Sequence, residues 1–509
     1  MDVPCTSVVD SLKKVAKASV IVFIGAVFYY LARFLFRTIL ARGLSAGDYG
    51  TITISMALAD TVAVVSLLGI PAVLTRQIAS ARSRGENPQK FATAGILVVL
   101  LTSVTTSMFL YSVSDILSGV LNASQDVLQV FAIYVLFTAL LWVATAVAQG
   151  YEDVSVLVYV QHILYGFLLV VSAVIGGLFF QSTRFAALLC LISVAIASIV
   201  AIIYLLRKGY LRLGGPAFDT VYYLLVLSIP LFLSSVVSVV FGKIDIFMLG
   251  HFLGSTAVGM YNVALTVVNL LPLFLFVANY LYLPIASSMV ASGSIGSLRR
   301  FYQVLTKWIV VFTLPLFAVI VLYPHIVVSL FFGQKYVAAA TSLFVLALAH
   351  LVNTCFGVNS WTLVALGEAR FVFFYTLASA AINFFLNAIL IPVYGIEGAA
   401  LATATSILFV SFATSAYLVK KYGVHPFTRQ YFSSFLAAFV PLFVFKLLDV
   451  SVGGLLNLFV LLFIYFLVYC TLLLVLRVFE KEDVEILRSI ERRTGANLGI
   501  VWSILRKFS

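Results

Sequence analysis

Charge is scarce in this chain. Asp, Glu, Lys and Arg make up 10% of its 509 residues, against roughly 25% in a soluble globular domain. So few charges cannot clothe a water-facing surface. With 63% hydrophobic residues and a mean hydropathy of +1.14, the chain reads as a multi-span membrane protein. Long polar stretches are also missing: the longest outer loop, about Ser112 to Val127, is too short to fold as a domain. Cysteine occurs four times, as Cys5, Cys190, Cys355 and Cys470, with no C-x-x-C pair. That argues against a disulfide framework or a metal knuckle. The five histidines are scattered, and H-E-x-x-H, a P-loop and paired outer carboxylates are all lacking. Without them neither a zinc hydrolase nor an ATPase is expected, and no metal site, cofactor or enzymatic activity is predicted.

What the chain has is apolar runs of about 20 residues, the length of a membrane-crossing helix; the strict alternation of a β-barrel strand is not seen. Runs and breaks predict fourteen helices, near 19–41, 51–79, 91–112, 128–150, 155–180, 184–206, 221–242, 259–290, 302–324, 338–366, 370–392, 397–419, 431–449 and 454–477. The first run carries no small-residue cleavage site after it and is read as a retained helix. The net charge of +12 is assigned to cytoplasmic loops rather than to nucleic acid. With both termini cytoplasmic, 24 of the 31 Lys and Arg lie in inner segments and the tail. Four lie in outer ones (Arg42, Arg184, Lys243 and Lys335), and Arg33, Arg37 and Lys446 lie within spans. Lys446 reads as a cation snorkelling to the interface.

The chain also repeats itself. "RFAALLCLISVAIASIVAIIYLLRKGY" from Arg184 resembles "EGAALATATSILFVSFATSAYLVKKYG" from Glu397, and Gly50 of "LSAGDYGT" matches Gly259 of "LGSTAVGMY". Pairing helices 1–6 with helices 7–12 gives two halves of the same orientation, related by an axis along the membrane normal. The expected organisation is an N-terminal lobe (1–215), a C-terminal lobe (216–425), two further helices (426–478) and a cytoplasmic tail (479–509). The end of the tail, "IVWSILRKFS", has an apolar helical face suited to the inner leaflet, and equally to packing on cytoplasmic loops.

Three stretches together resemble the polysaccharide-transporter branch of the multidrug/oligosaccharidyl-lipid/polysaccharide exporter superfamily. They are "LARGLSAGDYGTITISMALADTVAVVSLLGIPAVLTRQIA", "KIDIFMLGHFLGSTAVGMYNVA" and "VALGEARFVFFYTLASAAINFFLNAILIPVYGIEGAALATATS". The resemblance implies an all-α membrane fold with two six-helix lobes around a central cavity, as in the superfamily's drug exporters and lipid II flippase. Two helices beyond twelve are similar to the lipid II flippase and many polysaccharide flippases. The implied function is flipping of a lipid-linked oligosaccharide across the plasma membrane for surface polysaccharide or glycoconjugate synthesis.

Such a carrier needs cations for a (pyro)phosphate, and polar and aromatic groups for sugar. A charge within the bilayer costs at least about 2.5–3.5 kcal/mol, so intramembrane charges are the candidates. Arg33 and Arg37 stand one turn apart on the first helix, where two guanidinium forks would grip a diphosphate. Arg37 also fits a snorkelling cation. Tyr30, three residues before Arg33, is the expected sugar-stacking group. Lys243 and Asp245 hold the place in the second repeat that the arginines hold in the first; they complete the site across the pseudo-axis or form a loop pair. Asp60 is the one acid deep within a span. It reads as a coupling or switch group for H+ or Na+, or as a structural partner of Arg33 or Arg37. His350, Asn353, Asn383, Asn387, Gln149 and Gln161 read as interhelical hydrogen-bonding groups.

A cation-coupled exporter of small amphiphiles is the competing reading. The scarcity of intramembrane acids weighs against it, because a cationic drug calls for acids. A polyprenyl-dependent glycosyltransferase would need a larger acidic outer domain. Expected partners are a lipid-linked glycan, membrane lipids, and glycosyltransferases or a polymerase of the same pathway.

Overall fold

The computed structural model describes residues 5–212, 218–447, 455–480 and 483. It is helical, with no strand among the described residues. A chain in lipid must close its backbone hydrogen bonds within each segment, and helices do so. In order the helices are α1 (Cys5–Gly43), α2 (Ala46–Ser66), α3 (Ile70–Ser83), α4 (Gln89–Ser112), α5 (Ser114–Leu121), α6 (Gln125–Gly150), α7 (Tyr165–Ala173), α8 (Thr183–Arg207), α9 (Phe218–Phe241) and α10 (Ile244–Leu253). There follow α11 (Ser255–Val268), α12 (Leu273–Ala291), α13 (Ile295–Leu322), α14 (Pro324–Phe332), α15 (Ala340–Cys355), α16 (Asn359–Ala365), α17 (Ala369–Tyr422), α18 (Arg429–Leu447) and α19 (Leu455–Val475). α7 is flanked by π-helical segments, Val156–Leu164 and Val174–Phe179, and a 3-10 turn, Gln334–Ala339, precedes α15.

Each of the predicted apolar runs is mainly helical over its described residues. Among these residues ten helices are long and apolar enough to cross a membrane. One of the ten, α17, is two arms joined at Gly395, whose φ of 62° and ψ of −134° suit glycine alone. Its arms run antiparallel: Ser379 Oγ donates to Ser406 O at 2.8 Å, and Asn383 Nδ2 to Thr403 Oγ1 at 3.3 Å. Three of the predicted runs are interrupted. The run 51–79 breaks into α2 and α3, 259–290 into α11 and α12 ahead of Pro272, and 338–366 into α15 and α16. Three short helices, α5, α10 and α14, were not expected from the sequence. The tail beyond Glu480, apart from Asp483, and the side chain of Lys446 lie outside the described residues.

The chain divides into two compact units. The first comprises Met1–Val267, Val328–Ser342 and Ala380–Thr403. Within it α6 is central and packs on α2, α3, α4, α5 and α8, while α1 packs on α7 and both π-helical segments. α2 begins at Ser45, whose Oγ accepts from Asp48 N at 3.1 Å in a side-chain cap. The end of α1 is fixed by groups that fill its open carbonyls. Tyr336 Oη donates to Ala41 O at 3.1 Å, Lys335 Nζ to Arg42 O at 3.2 Å, and Lys335 also reaches Leu44 O. The start of α2 lies backbone to backbone against α11: a Cβ built on Gly50 would stand 1.7 Å from Ser255 O. Only glycine allows that approach.

The second unit comprises Val268–Val327, Leu343–Ser379 and Ala404–Ser509. α13 packs there on α12, α18 and α19, around a core that includes Tyr282, Tyr302, Leu298 and Leu363. Lys307 of α13, 2% exposed, meets two carboxylates from the segment after α19: Asp483 at 2.6 Å and Glu480 at 2.9 Å. Trp308 Nε1 donates to Asp483 Oδ1 at 2.7 Å, and Arg300 reaches Glu480 at 2.8 Å. A buried charge survives only when paired and hydrogen-bonded in this way.

Candidate functional site

α1 carries Arg33 and Arg37 on one face because four residues make about one helical turn. That face meets α2, the start of α10 and α11 around a recess lined by Arg33, Arg37, Asp60, Lys243, Tyr49, Thr53 and Asn262. Phe36, Leu40, Ile52, Met56, Ala57 and Ile246 supply its apolar wall. Four of the six site residues expected from the sequence therefore come together: Arg33, Arg37, Asp60 and Lys243. Lys243 enters from the start of α10, so cations far apart in the sequence share the recess. The recess is narrow in this conformation, about 20 Å³, which is room for about one water molecule.

Arg37 is braced. Its Nη1 donates to Asn262 Oδ1 at 3.0 Å and to Thr266 Oγ1 at 3.3 Å. Asn262, 2% exposed, in turn donates through Nδ2 to Tyr49 Oη at 2.6 Å and to Thr53 Oγ1 at 3.2 Å. α1, α2 and α11 are thus tied through one arginine, and none of its partners is charged. Its positive charge remains available to an anion. Arg33 lies 3.5 Å from Tyr29 Oη, with its guanidinium carbon 5.6 Å from that ring's centre. Tyr29 stacks on His162 at 5.4 Å and stands 6.3 Å from Tyr165, whose hydroxyl is 2.6 Å from that of Tyr134. Asp60 makes no ion pair within 4.0 Å among the described residues, so the two arginines and Lys243 face the recess with their charge uncancelled at contact range.

Two expected residues lie elsewhere. Tyr30 is 39% exposed and is not part of the recess lining; Tyr29, one position earlier, is not part of it either, but its ring and hydroxyl contact the Arg33 guanidinium. Asp245 is buried beside Tyr261, with its carboxylate turned back onto Ile246 N at 2.8 Å at the start of α10. Tyr261 Oη is 3.2 Å from Thr403 Oγ1. Asn262, Thr266, Tyr49 and Thr53 were missed. The repeat held the signal, because Thr53 and Asn262 are separated by the same 209 positions as Gly50 and Gly259. Of the expected hydrogen-bonding groups, Asn387 donates to Asn383 at 3.0 Å, Ser411 to Asn353 at 2.8 Å, and Thr145 to Gln161 at 2.9 Å.

Residues 15–290 match the model of the family described as "Polysaccharide biosynthesis protein", and residues 230–389 match the MatE family. The chain is 26% identical over 463 residues to the "Probable low-salt glycan biosynthesis flippase Agl15" of Haloferax volcanii, covering 90% of this chain and 95% of that one. It is 27% identical over 134 residues to the teichuronic acid biosynthesis protein TuaB of Bacillus subtilis, 26% of this chain and 27% of the other. In fold it resembles the lipid II flippase MurJ in an inward closed conformation. There the TM-score is 0.74 at 15% identity, over 89% of this chain and 98% of that one. An inward-facing multidrug MATE transporter gives 0.62 at 14% identity, over 77% and 94%. With more than half of its residues matched by the first of these family models, the chain belongs to the family of polysaccharide biosynthesis proteins.

Proposed function

We propose that the protein is a flippase that carries a lipid-linked oligosaccharide across the membrane for surface glycan synthesis. The observation that carries this reading is the gathering of Arg33, Arg37 and Lys243 around one recess within apolar helices, with Arg37 held only by neutral partners. Three cations in a poorly solvated space suit a phosphate or pyrophosphate, and the guanidinium fork matches it in geometry. The likeness to Agl15 over nine-tenths of the chain supports the same substrate class. The lipid tail stays in the bilayer while the headgroup passes. In this reading 1–215 and 216–425 act as lobes in alternating access, 426–478 add two crossings to twelve, and both termini face the cytoplasm at the plasma membrane. Glycosyltransferases or a polymerase supply and consume the glycan. Asp60 is the group placed to couple transport to H+ or Na+, or to release Arg33 when substrate enters.

The test is export. Arg33→Ala abolishes surface glycan and leaves precursor on the inner leaflet, with the protein present at its normal level. Arg33→Lys recovers part of the flux because it restores charge without the fork. Unchanged export in Arg33→Ala removes the recess from the function. A cation-coupled exporter of small amphiphiles is the second reading, favoured by the MatE match over 230–389. It predicts that deletion sensitises cells to cationic dyes and leaves glycan export intact.

A further inference from the structure

The first unit holds a second concavity that the charged recess does not include. It opens between α3, α6 and the π-helical segment Val156–Leu164, and is lined by Pro71, Ala72, Thr75, Trp142, Thr145, Ala146, Gln149, Leu157 and Gln161. Its volume is about 280 Å³, near the lower end for a small-molecule site. No lining residue is charged. Two of its polar groups are already committed: Thr75 Oγ1 lies 3.0 Å from Ala146 O, and Thr145 Oγ1 lies 2.9 Å from Gln161 Oε1. That second contact fixes the Gln161 amide by its oxygen and leaves its Nε2 hydrogens without a partner among the described residues. The Gln149 side-chain amide and the Trp142 indole N–H likewise have none there. Leu157 and Gln161 stand on a π-helical stretch, a costly local geometry that recurs at functional sites.

We propose that this pocket is a binding subsite for an uncharged saccharide, with Trp142 as its stacking wall and the Gln149 and Gln161 amides as its hydrogen-bonding groups. The proposal rests on the reading of the protein as a carrier of a glycan-bearing lipid, and adds a division of labour to it. The recess at Arg33, Arg37 and Lys243 offers positive charge suited to phosphate, and the second pocket offers what sugar hydroxyls need. An aromatic wall accepts the apolar face of a sugar ring, and primary amides both donate and accept. The lack of charge disfavours the phosphate end, which would lose its hydration without a cation in return.

The experiment uses the full-length protein in lipid nanodiscs, with tryptophan emission as the readout. The probes are two phosphate-free tetrasaccharides, maltotetraose and tetra-N-acetylchitotetraose, and inorganic pyrophosphate as the charged control. Saturable quenching by at least one tetrasaccharide is expected, with no response to pyrophosphate, and the signal disappears in Trp142→Phe because the reporter is gone. In Gln161→Leu and Gln149→Leu the midpoint rises about three- to tenfold each, the worth of a hydrogen bond. Quenching by neither saccharide, quenching that persists in Trp142→Phe, or an equal response to pyrophosphate overturns the proposal. If saccharide quenches as expected but Arg33→Ala leaves export unchanged, the pocket stands and the flippase reading falls. If Arg33→Ala abolishes export and Trp142 stays silent, the pocket proposal falls alone.

Discussion

Thr53 and Asn262 occupy equivalent places in the two repeats and are joined directly, Asn262 Nδ2 to Thr53 Oγ1 at 3.2 Å. Three residues earlier in each helix stand Gly50 and Gly259, also equivalents and also in contact. A Cβ built on either would lie within 3.2 Å of the other's backbone nitrogen. α2 and α11 therefore meet along a seam that is tight at the glycines and polar one turn further in. Arg37 docks on the polar turn through Asn262.

The glycine seam predicts a strong effect from a single methyl group. Gly50→Ala sets Cβ 1.7 Å from Ser255 O, and Gly259→Ala 2.2 Å from Ala46 O; both obstacles are backbone and cannot rotate away. Overpacking of this kind costs about 1–3 kcal/mol or more. A clear fall in the melting temperature of the detergent-solubilised protein is expected for both. Gly119→Ala on α5 meets nothing within 4 Å and serves as the neutral control. Equal melting temperatures for Gly50→Ala and Gly119→Ala would remove the seam.

Asn262 is predicted to act through Arg37. Asn262→Ala deletes an acceptor at 3.0 Å and leaves the guanidinium held by Thr266 alone. A hydrogen bond to a charged group is worth about 1.5–3 kcal/mol, so export per molecule should drop roughly tenfold or more. Asn262→Asp restores the acceptor but neutralises Arg37, and export should fall at least as far. Glycan flux normalised to protein level checks both; full activity in Asn262→Asp argues that Arg37 need not be a free cation.

Lys307 and Asp483 form a buried pair in the second unit, 2% and 0% exposed. Lys307→Met strands two carboxylates beneath α13, and breaking a buried pair from one side costs about 3–5 kcal/mol. Thermal unfolding and limited proteolysis of the C-terminal tail both report it. Replacing all three charges together, Lys307→Met with Glu480→Gln and Asp483→Asn, should be milder than Lys307→Met alone. A triple variant less stable than the single one contradicts the pairing.

Glu480 adds a pH dependence. Burial pushes its carboxyl pKa up, but hydrogen bonds and charge from Arg300 and Lys307 outweigh burial and hold it below its ordinary 4.5. A depressed folded-state value means that its stabilisation is fully present above pH 4.5 and is lost as pH falls through the lower folded value. The melting temperature of wild type should exceed that of Glu480→Gln at pH 7, with the gap closing on acidification below pH 4.5. A gap that grows on acidification runs against the assigned direction.

The helices were legible because lipid demands long apolar runs, and such runs announce themselves. Their interruptions were not. A break within an all-apolar stretch changes no periodicity, so the turn of Leu68 and Gly69, the joint before Pro272 and the one between α15 and α16 were invisible. Arg33, Arg37 and Asp60 were found because a charge in an apolar span stands out, and Lys243 because it holds the arginines' place in the second repeat. Asn262 and Thr266 did not, since neutral polar residues are common on such helices. Tyr30 was named from its spacing of three before Arg33; the ring that contacts the Arg33 guanidinium is Tyr29, four before it on the same helix face.

The interruption after α2 has a mechanical meaning. Leu68 and Gly69 both carry positive φ, 49° and 74°, and a Cβ on Gly69 would lie 2.6 Å from Phe232 N of α9. The backbone there rests on a neighbouring helix as a lever rests on a fulcrum, with the regular ladder of hydrogen bonds already interrupted. α2 is thus held tightly at both ends, against the α9 backbone at Gly69 and against the α11 segment at Gly50, so neither glycine can carry a side chain without displacing a neighbouring helix.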